Sequence, residues 1–215
     1  MRSISKRFLW MLVVLAAGRL LTAHASMVGP DMLIRNTADE VLAIVKQDKE
    51  LQAGHQKKVL ALVEEKILPH FDFTRMTRLA VGKHWRSATP EQRRTLESEF
   101  RDLLVRTYTR AFTVYRDQQV EVKPLKMPGG AEEVTVKTVI LKPGTPPVPV
   151  DYDLAKTPSG WKVFDVLIEG VSLVTSYRTT FGEQIQQSGI DGLIKTLEDK
   201  NRAAANTALQ QAEPK

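Results

Sequence analysis

Between Gly160 and Phe181 the sequence GWKVFDVLIEGVSLVTSYRTTF changes its apolar period partway along. From Trp161 to Ile168 the residues alternate as in a strand, with Trp161, Val163, Asp165 and Leu167 on one face and Lys162, Phe164, Val166 and Ile168 on the other. Both faces are largely apolar, so this strand is expected to be central and covered on both sides, with helices on one of them. Glu169-Gly170 breaks it. Val171, Val174, Tyr177, Arg178 and Phe181 then recur at three- and four-residue spacing, one stripe of an amphipathic helix that starts near Ser172.

A strand, a Gly-x-Ser turn and a helix also make up the nucleophile elbow of serine hydrolases. That elbow requires G-x-S-x-G, and Val174 stands where the second small residue belongs. Ser172 is more simply a helix N-cap.

The remaining elements follow from local signals. Pro30 to Gln47 reads as a helix with Leu33, Thr37, Val41, Ile44 and Val45 on one side, and a second runs from about Gln56 until Pro69 stops it. Asp72 is placed to cap a short helix ending at Gly82. Thr89-Pro90-Glu91-Gln92 forms a capping box with proline at the first helical position. The long helix it opens reaches about Tyr115, and its wide apolar arc suits either core or one wall of a cavity. After Asp117 the pattern turns to β: Val120 to Leu125, Val134 to Leu141, Val150 to Leu154 and the strand from Trp161, joined by short turns into a four-stranded antiparallel meander. Val150, Tyr152 and Leu154 point inward in this reading, and Asp151 and Asp153 outward. The closing helices run from Leu173 to about Gln187, ended by Ser188-Gly189, and from Ile190 to about Ala205.

The start of the chain reads as a signal peptide over residues 1–25. Arg2, Lys6 and Arg7 precede an apolar core from Phe8 to Ala17, and Ala23-His24-Ala25 supplies the cleavage site. Removing this segment changes the charge argument. The full chain carries 31 Lys and Arg against 25 Asp and Glu, but Arg2, Lys6, Arg7 and Arg19 all lie in the leader, leaving 27 against 25. Nucleic acid is therefore not an expected partner. The expected layout is a single α+β domain over 26–202, helical over about 30–115, sheet over 118–168 and helical again over 172–202, followed by a flexible tail at 203–215. The chain has no cysteine, which leaves neither disulfides nor thiolate metal sites.

Charge is unevenly spread in what remains. Ten Lys and Arg stand against four acids from Phe73 to Arg116, a run that suits a solvated face or attraction for anionic lipid or an acidic partner. His55, His70 and His84 share no metal-ligand spacing, and the chain has no Walker loop, H-E-x-x-H or G-x-G-x-x-G. No cofactor and no metal are expected. Asp165 sits among apolar neighbours, and a buried carboxylate needs a partner. The expected partner is Arg178 in a structural ion pair; the alternative is a general base.

Phe71-Asp72-Phe73, Gly82-x-x-Trp85, Thr89-Pro90-Glu91-Gln92, Phe100, Thr107-Tyr108, Trp161-Lys162-Val163-Phe164-Asp165-Val166, Glu169-Gly170-Val171-Ser172-Leu173-Val174 and Tyr177-Arg178 together resemble the MlaC family of periplasmic phospholipid-binding proteins, also called toluene tolerance proteins. The resemblance implies an NTF2-like sheet packed with helices, a small helical subdomain, and a deep apolar pocket for phospholipid acyl chains. It further implies a periplasmic shuttle, with phospholipid as cargo, between an outer-membrane lipoprotein complex and an inner-membrane ABC transporter complex, and no catalytic residues. From the apolar pattern, Leu104, Tyr108, Val136, Tyr152, Val171 and Tyr177 are the expected pocket walls, and Lys83, Arg93, Arg94 and Arg101 the expected docking charges. The rival readings are a small-molecule enzyme of the same fold with Asp165 as base, and a periplasmic chaperone.

Overall fold

The computed structural model describes residues 28–113 and 118–212. The leader expected at 1–25 lies outside them.

Local sequence signals set most of the helix ends. Helix α1 spans Pro30–Gln47, α2 Lys49–Gln52, α3 Gln56–Lys66, α4 Phe73–Val81 and α5 Pro90–Thr113. Asp48 opens α2 by accepting from the Glu50 and Leu51 amides, and Asp72 opens α4 by accepting from Arg75 N. The capping box forms at α5: Thr89 N donates to Gln92 Oε1 at 2.9 Å, and Gln92 N to Thr89 Oγ1 at 3.1 Å. The last helix, α6, spans Leu173–Ala212 and is broken at Gly189, whose φ of 74° is the left-handed conformation that glycine tolerates. It runs past the expected end near Ala205, into the stretch expected to be a flexible tail.

The sheet has five strands in the order β1-β2-β3-β4-β5: Gln119–Val122, Glu133–Leu141, Val148–Thr157, Gly160–Ile168 and Val171–Ser172. All neighbours are antiparallel. The fifth strand corrects the expected count of four. It exists because Glu169 and Gly170, at φ 51° and 82°, close a two-residue hairpin that pairs Ile168 with Val171 before the helix begins.

Two further expectations for β4 are corrected. It is not central but next to the short edge strand. Its two apolar faces reflect two hydrophobic cores rather than a middle position in the sheet. The exposed part of its edge is covered by the connector before α4, where Asp72 N donates to Val163 O at 2.8 Å. Its alternation is also interrupted. Leu154 pairs with Val163 and Asp153 with Asp165, so Phe164 is an extra residue, a β-bulge. The bulge brings Trp161 and Val163 onto the same face as Val166. All three join Val122, Val136, Val150 and Leu154 in a core closed by Ile34 of α1. Tyr152 packs against this core, so β3 faces inward at Val150, Tyr152 and Leu154 as the sequence indicates.

Phe164 points the other way, into a second core of Met76, Ala80, Leu96, Phe100, Val174, Phe181, Leu193 and Leu197 drawn from α4, α5 and α6. Arg75 fastens this face. Its guanidinium stands 3.5 Å from the Phe164 ring centroid and reaches Glu133 of β2 at 2.7 Å. A smaller third core, with Val41, Val45, Leu51, Val59 and Leu62, joins α1, α2 and α3.

Asp153, opposite Asp165 in the sheet, has its carboxyl pushed above its ordinary value by burial, with the Asp165, Asp151 and Glu133 charges adding and a hydrogen bond from Thr135 opposing. A carboxyl raised on folding disfavours the folded state above that raised value, and the penalty fades as pH falls through it. Asp153→Asn, which can still accept from Thr135, is expected to raise the melting temperature at neutral pH. The gain should vanish toward the unfolded carboxyl value of about 3.9; thermal melts across that range check it.

Candidate functional site

Helix α6 begins where β5 ends, and one carboxylate fixes that junction. Asp165 is only 8% exposed. Its Oδ1 accepts from Val166 N at 2.8 Å and Val174 N at 3.1 Å, and its Oδ2 accepts from the Ser172 hydroxyl. Ser172 Oγ in turn accepts from Thr175 N at 3.0 Å, so it is the N-cap. The expected ion pair with Arg178 is not formed. Arg178 lies on the exposed side of α6 and donates through Nε to Leu79 O at 2.7 Å. The Val166 amide in β4, the Ser172 hydroxyl and the Val174 amide in the first turn of α6 satisfy Asp165 instead, at a helix start whose dipole also favours negative charge.

Beside this junction, the C-terminal part of α5, the end of β4, β5 and the first turns of α6 enclose a cleft of about 360 Å³. Among the described residues it is lined by Tyr108, Ile168, Val171, Leu173, Ser176, Tyr177 and Thr180. Three of the six expected wall residues are therefore here: Tyr108, Val171 and Tyr177. Val171 forms the rim at 60% exposure. The other three lie elsewhere. Leu104, one turn before Tyr108, is buried in the core of α4, α5 and α6, while Val136 and Tyr152 belong to the core that α1 closes on the opposite side of the sheet. The sequence pattern alone did not separate these two cores.

The missed residues had a readable signal. Leu173, Ser176, Tyr177 and Thr180 fall at i, i+3, i+4 and i+7, a single helix stripe, but two of them are polar and escape a search for apolar positions. Asp165, the alternative general base, is not among the described residues that line the cleft.

The Tyr177 ring is held edge-on by Phe100 at 5.0 Å and tilted against Phe181 at 5.5 Å. Burial pushes both cleft phenols above their ordinary values. For Tyr108 the neighbouring Tyr177 adds to this, whereas for Tyr177 hydrogen bonds from Thr107 and Tyr108 partly offset it. Both therefore remain neutral donors throughout the physiological range.

The expected docking charges divide. Lys83 and Arg94 are exposed. Arg93 is spent within the protein, donating to Trp85 O and Arg86 O and lying over the Trp85 ring, and Arg101 pairs with Asp102 and Glu64. Of the four expected docking charges, Arg93 and Arg101 thus also make contacts within the protein.

A five-stranded antiparallel meander with helices on both faces, and a cleft at the strand-to-helix corner, defines an α+β protein. The chain belongs to the MlaC family, whose model, described as MlaC protein, matches residues 35–199. It is 29% identical over 92% of its length to the toluene tolerance protein ttg2D of Pseudomonas putida, covering 90% of that protein. It is 22% identical over 91% of its length to the intermembrane phospholipid transport system binding protein MlaC of Haemophilus influenzae, covering 92% of it. The structure of the phospholipid-binding protein from Ralstonia solanacearum in complex with a phospholipid superposes with a TM-score of 0.78 at 36% identity, over 83% of this chain and 99% of that one.

The hydrogen bonds at Asp165 predict how substitutions combine. Asp165→Asn should cost about 1.5–3 kcal/mol, the range for hydrogen bonds to a charged group. It should couple to Ser172→Ala and be additive with Arg178→Met within about 0.5 kcal/mol. Denaturant melts of the two double-mutant cycles check this.

Proposed function

We propose that this protein is a periplasmic phospholipid carrier. It would hold acyl chains in the cleft between α5, β5 and α6 and pass the lipid between an outer-membrane lipoprotein complex and an inner-membrane ABC transporter complex. The observation that carries the reading is the cleft at the β5–α6 corner, part apolar and part lined by hydroxyls, in a chain 36% identical to a protein solved with a phospholipid bound. In this reading residues 1–25 are the export signal, residues 26–202 form one domain with a small helical subdomain at α1–α3, and the sheet with its helices works as an NTF2-like container.

The energetics suit a carrier without an energy source of its own. Hiding a two-chain lipid removes about 25 methylenes from water at about 0.8 kcal/mol each, roughly 20 kcal/mol, and leaving a bilayer costs nearly the same. Transfer is then close to isoenergetic, and direction comes from the partners. The head group stays at the rim beside Val171, where its phosphate keeps its water. Lys83 and Arg94 are the charges available for docking.

Organic extraction of the purified protein followed by mass spectrometry is the primary test, with phospholipid expected. A small polar metabolite instead would favour an enzyme, and an acylated peptide a chaperone. Val171→Trp narrows the rim and should lower lipid occupancy severalfold while changing stability by less than about 0.5 kcal/mol, because the site is exposed. Val136→Trp overfills a closed core and should cost about 1–3 kcal/mol. Docking through Lys83 and Arg94 predicts that reversing both charges slows transfer, and that raising salt slows the unmodified protein to a similar degree. Transfer rates indifferent to salt would remove these residues from the docking surface.

A further inference from the structure

Arg178 does not pair with Asp165, yet its side chain is held in one place. Its Nε donates to Leu79 O at 2.7 Å, near the C-terminal end of α4. Its stem lies along Gly82, where a Cβ would meet the arginine Cγ and Cδ at 3.6 and 3.7 Å, so a longer side chain at that position would push the stem aside. A guanidinium carries five N–H groups, and the bond to Leu79 uses one of them. Among the described residues the remaining four meet no acceptor, and the residue is exposed. They form a planar fork that faces solvent and is pinned at one corner.

The elements around it share its sign. Phe73 to Arg86 contains Arg75, Arg78, Lys83 and Arg86 and no acid, and Leu173 to Gly182 contains Arg178 and no acid. Helix α4 and the short 3₁₀ helix Gly82–Arg86 both pack against α6, which brings the two segments together. Arg75 is taken up by Glu133 and Phe164. Arg78, Lys83, Arg86 and Arg178 are exposed and pair with no acid among the described residues, whereas Lys58, Lys66, Lys123 and Arg202 do. A face that served only to stay wet would interleave both signs. This surface is also separate from the cleft: around α6, Val174 and Phe181 of the buried core lie between Arg178 and the stripe of Tyr177 and Thr180. Nor is it shaped for a bilayer. The exposed large apolar side chains of the described residues, Val28, Met32, Met127 and Val171, all lie outside Phe73–Arg86, and Val171 belongs to the cleft rim, so the cations have no apolar wedge beside them.

We propose that Arg178, with Arg78, Lys83 and Arg86 around it, forms a docking surface for an acidic segment of a protein partner. The fixed guanidinium takes one carboxylate through two parallel N–H bonds, and the flexible cations supply attraction without direction. This rests on the docking part of the reading above, not on what the cleft holds, and adds the chemistry of the docked surface and the residue at its centre. A lysine at 178 would keep the charge and a donor for Leu79 but lose the fork, so attraction would remain while register is lost.

Capped hexaglutamate serves as the probe for an acidic partner, and vesicles of mixed phosphatidylglycerol and phosphatidylcholine as the probe for an anionic membrane. Titrations of the purified protein are followed by NMR at the Arg178 Nε–H signal and at the Gly82 and Lys83 amides. Hexaglutamate is expected to shift all three saturably. Its affinity, read from the two amides, should fall roughly three- to tenfold in Arg178→Lys and stay nearly unchanged in Lys195→Gln, which removes an exposed cation from the second half of α6. Equal affinity in Arg178→Lys, or an equal loss in Lys195→Gln, overturns the proposal. So does a vesicle that shifts these signals when hexaglutamate does not, since the surface then belongs to a membrane. Should Arg178→Lys fail to fold, the double variant Arg78→Gln and Lys83→Gln decides: weaker hexaglutamate binding supports the surface, and unchanged binding overturns it. Lipid extraction from the same preparations tests the carrier reading separately, so protein that holds phospholipid but ignores hexaglutamate loses this surface alone, and protein that binds hexaglutamate but holds no phospholipid loses the carrier reading alone.

Discussion

The arrangement turns on a buried carboxylate that bridges a strand and the helix following it. Asp165 holds the amides of Val166 and Val174 together with the Ser172 hydroxyl, and through them it fixes the direction in which α6 leaves the sheet. That direction matters twice. It sends Val174, Phe181, Leu193 and Leu197 into the core with α4 and α5, and it turns Leu173, Ser176, Tyr177 and Thr180 toward the cleft. An isolated buried carboxylate would be expensive; this one is matched by donors that the helix start leaves free. The cleft and the second core are thus two faces of one helix aimed by one side chain.

The bulge at Phe164 serves the same division of labour. A regular strand presents alternate residues to alternate faces, and β4 has to supply Trp161, Val163 and Val166 to one core while delivering Phe164 to the other. Inserting one residue resolves the conflict. It leaves Asp165 across from Asp153 on the polar side of the meander, and it gives Arg75 an aromatic face to cover. Burial first, and then the acidic side chains Asp165, Asp151 and Glu133, hold the Asp153 carboxyl above its ordinary pKa.

What could be read from the sequence follows the range of the forces involved. The bounds of α1, the capping box at Thr89 and the break at Gly189 depend on neighbours within a turn or two, and they appear where the sequence places them. The inward face of β3 was equally legible, since alternation is local. The bulge was not, because nothing in Trp161 to Ile168 marks the extra residue; only pairing with β3 exposes it. The mistaken partner for Asp165 has a similar cause. A search for a counter-charge sees Arg178, whereas backbone amides carry no sequence signature at all. Of the cleft, the aromatic and aliphatic walls Tyr108, Val171 and Tyr177 were found by hydrophobic pattern, and Ser176 and Thr180 were passed over because their hydroxyls look like ordinary helix surface.

The side-chain ties that close the molecule share a property with consequences for how it is made. Arg35 to Val122, Lys162 to Pro69, Arg178 to Leu79, Gln92 to Asp191 and Asn201 to Glu99 join residues between 87 and 102 positions apart. The core around Phe100 likewise takes six of its eleven buried members from α4 and α5 and five from α6. Helices α4 and α5 therefore emerge during synthesis with an apolar face that is covered only in part until the last helix follows. Closure of such distant contacts costs chain entropy before any burial offsets it, so folding is slow relative to that of a bundle of local hairpins. The core around Phe100 therefore cannot be completed until α6 has been synthesised, whereas the core of α1, α2 and α3 needs only the first part of the chain.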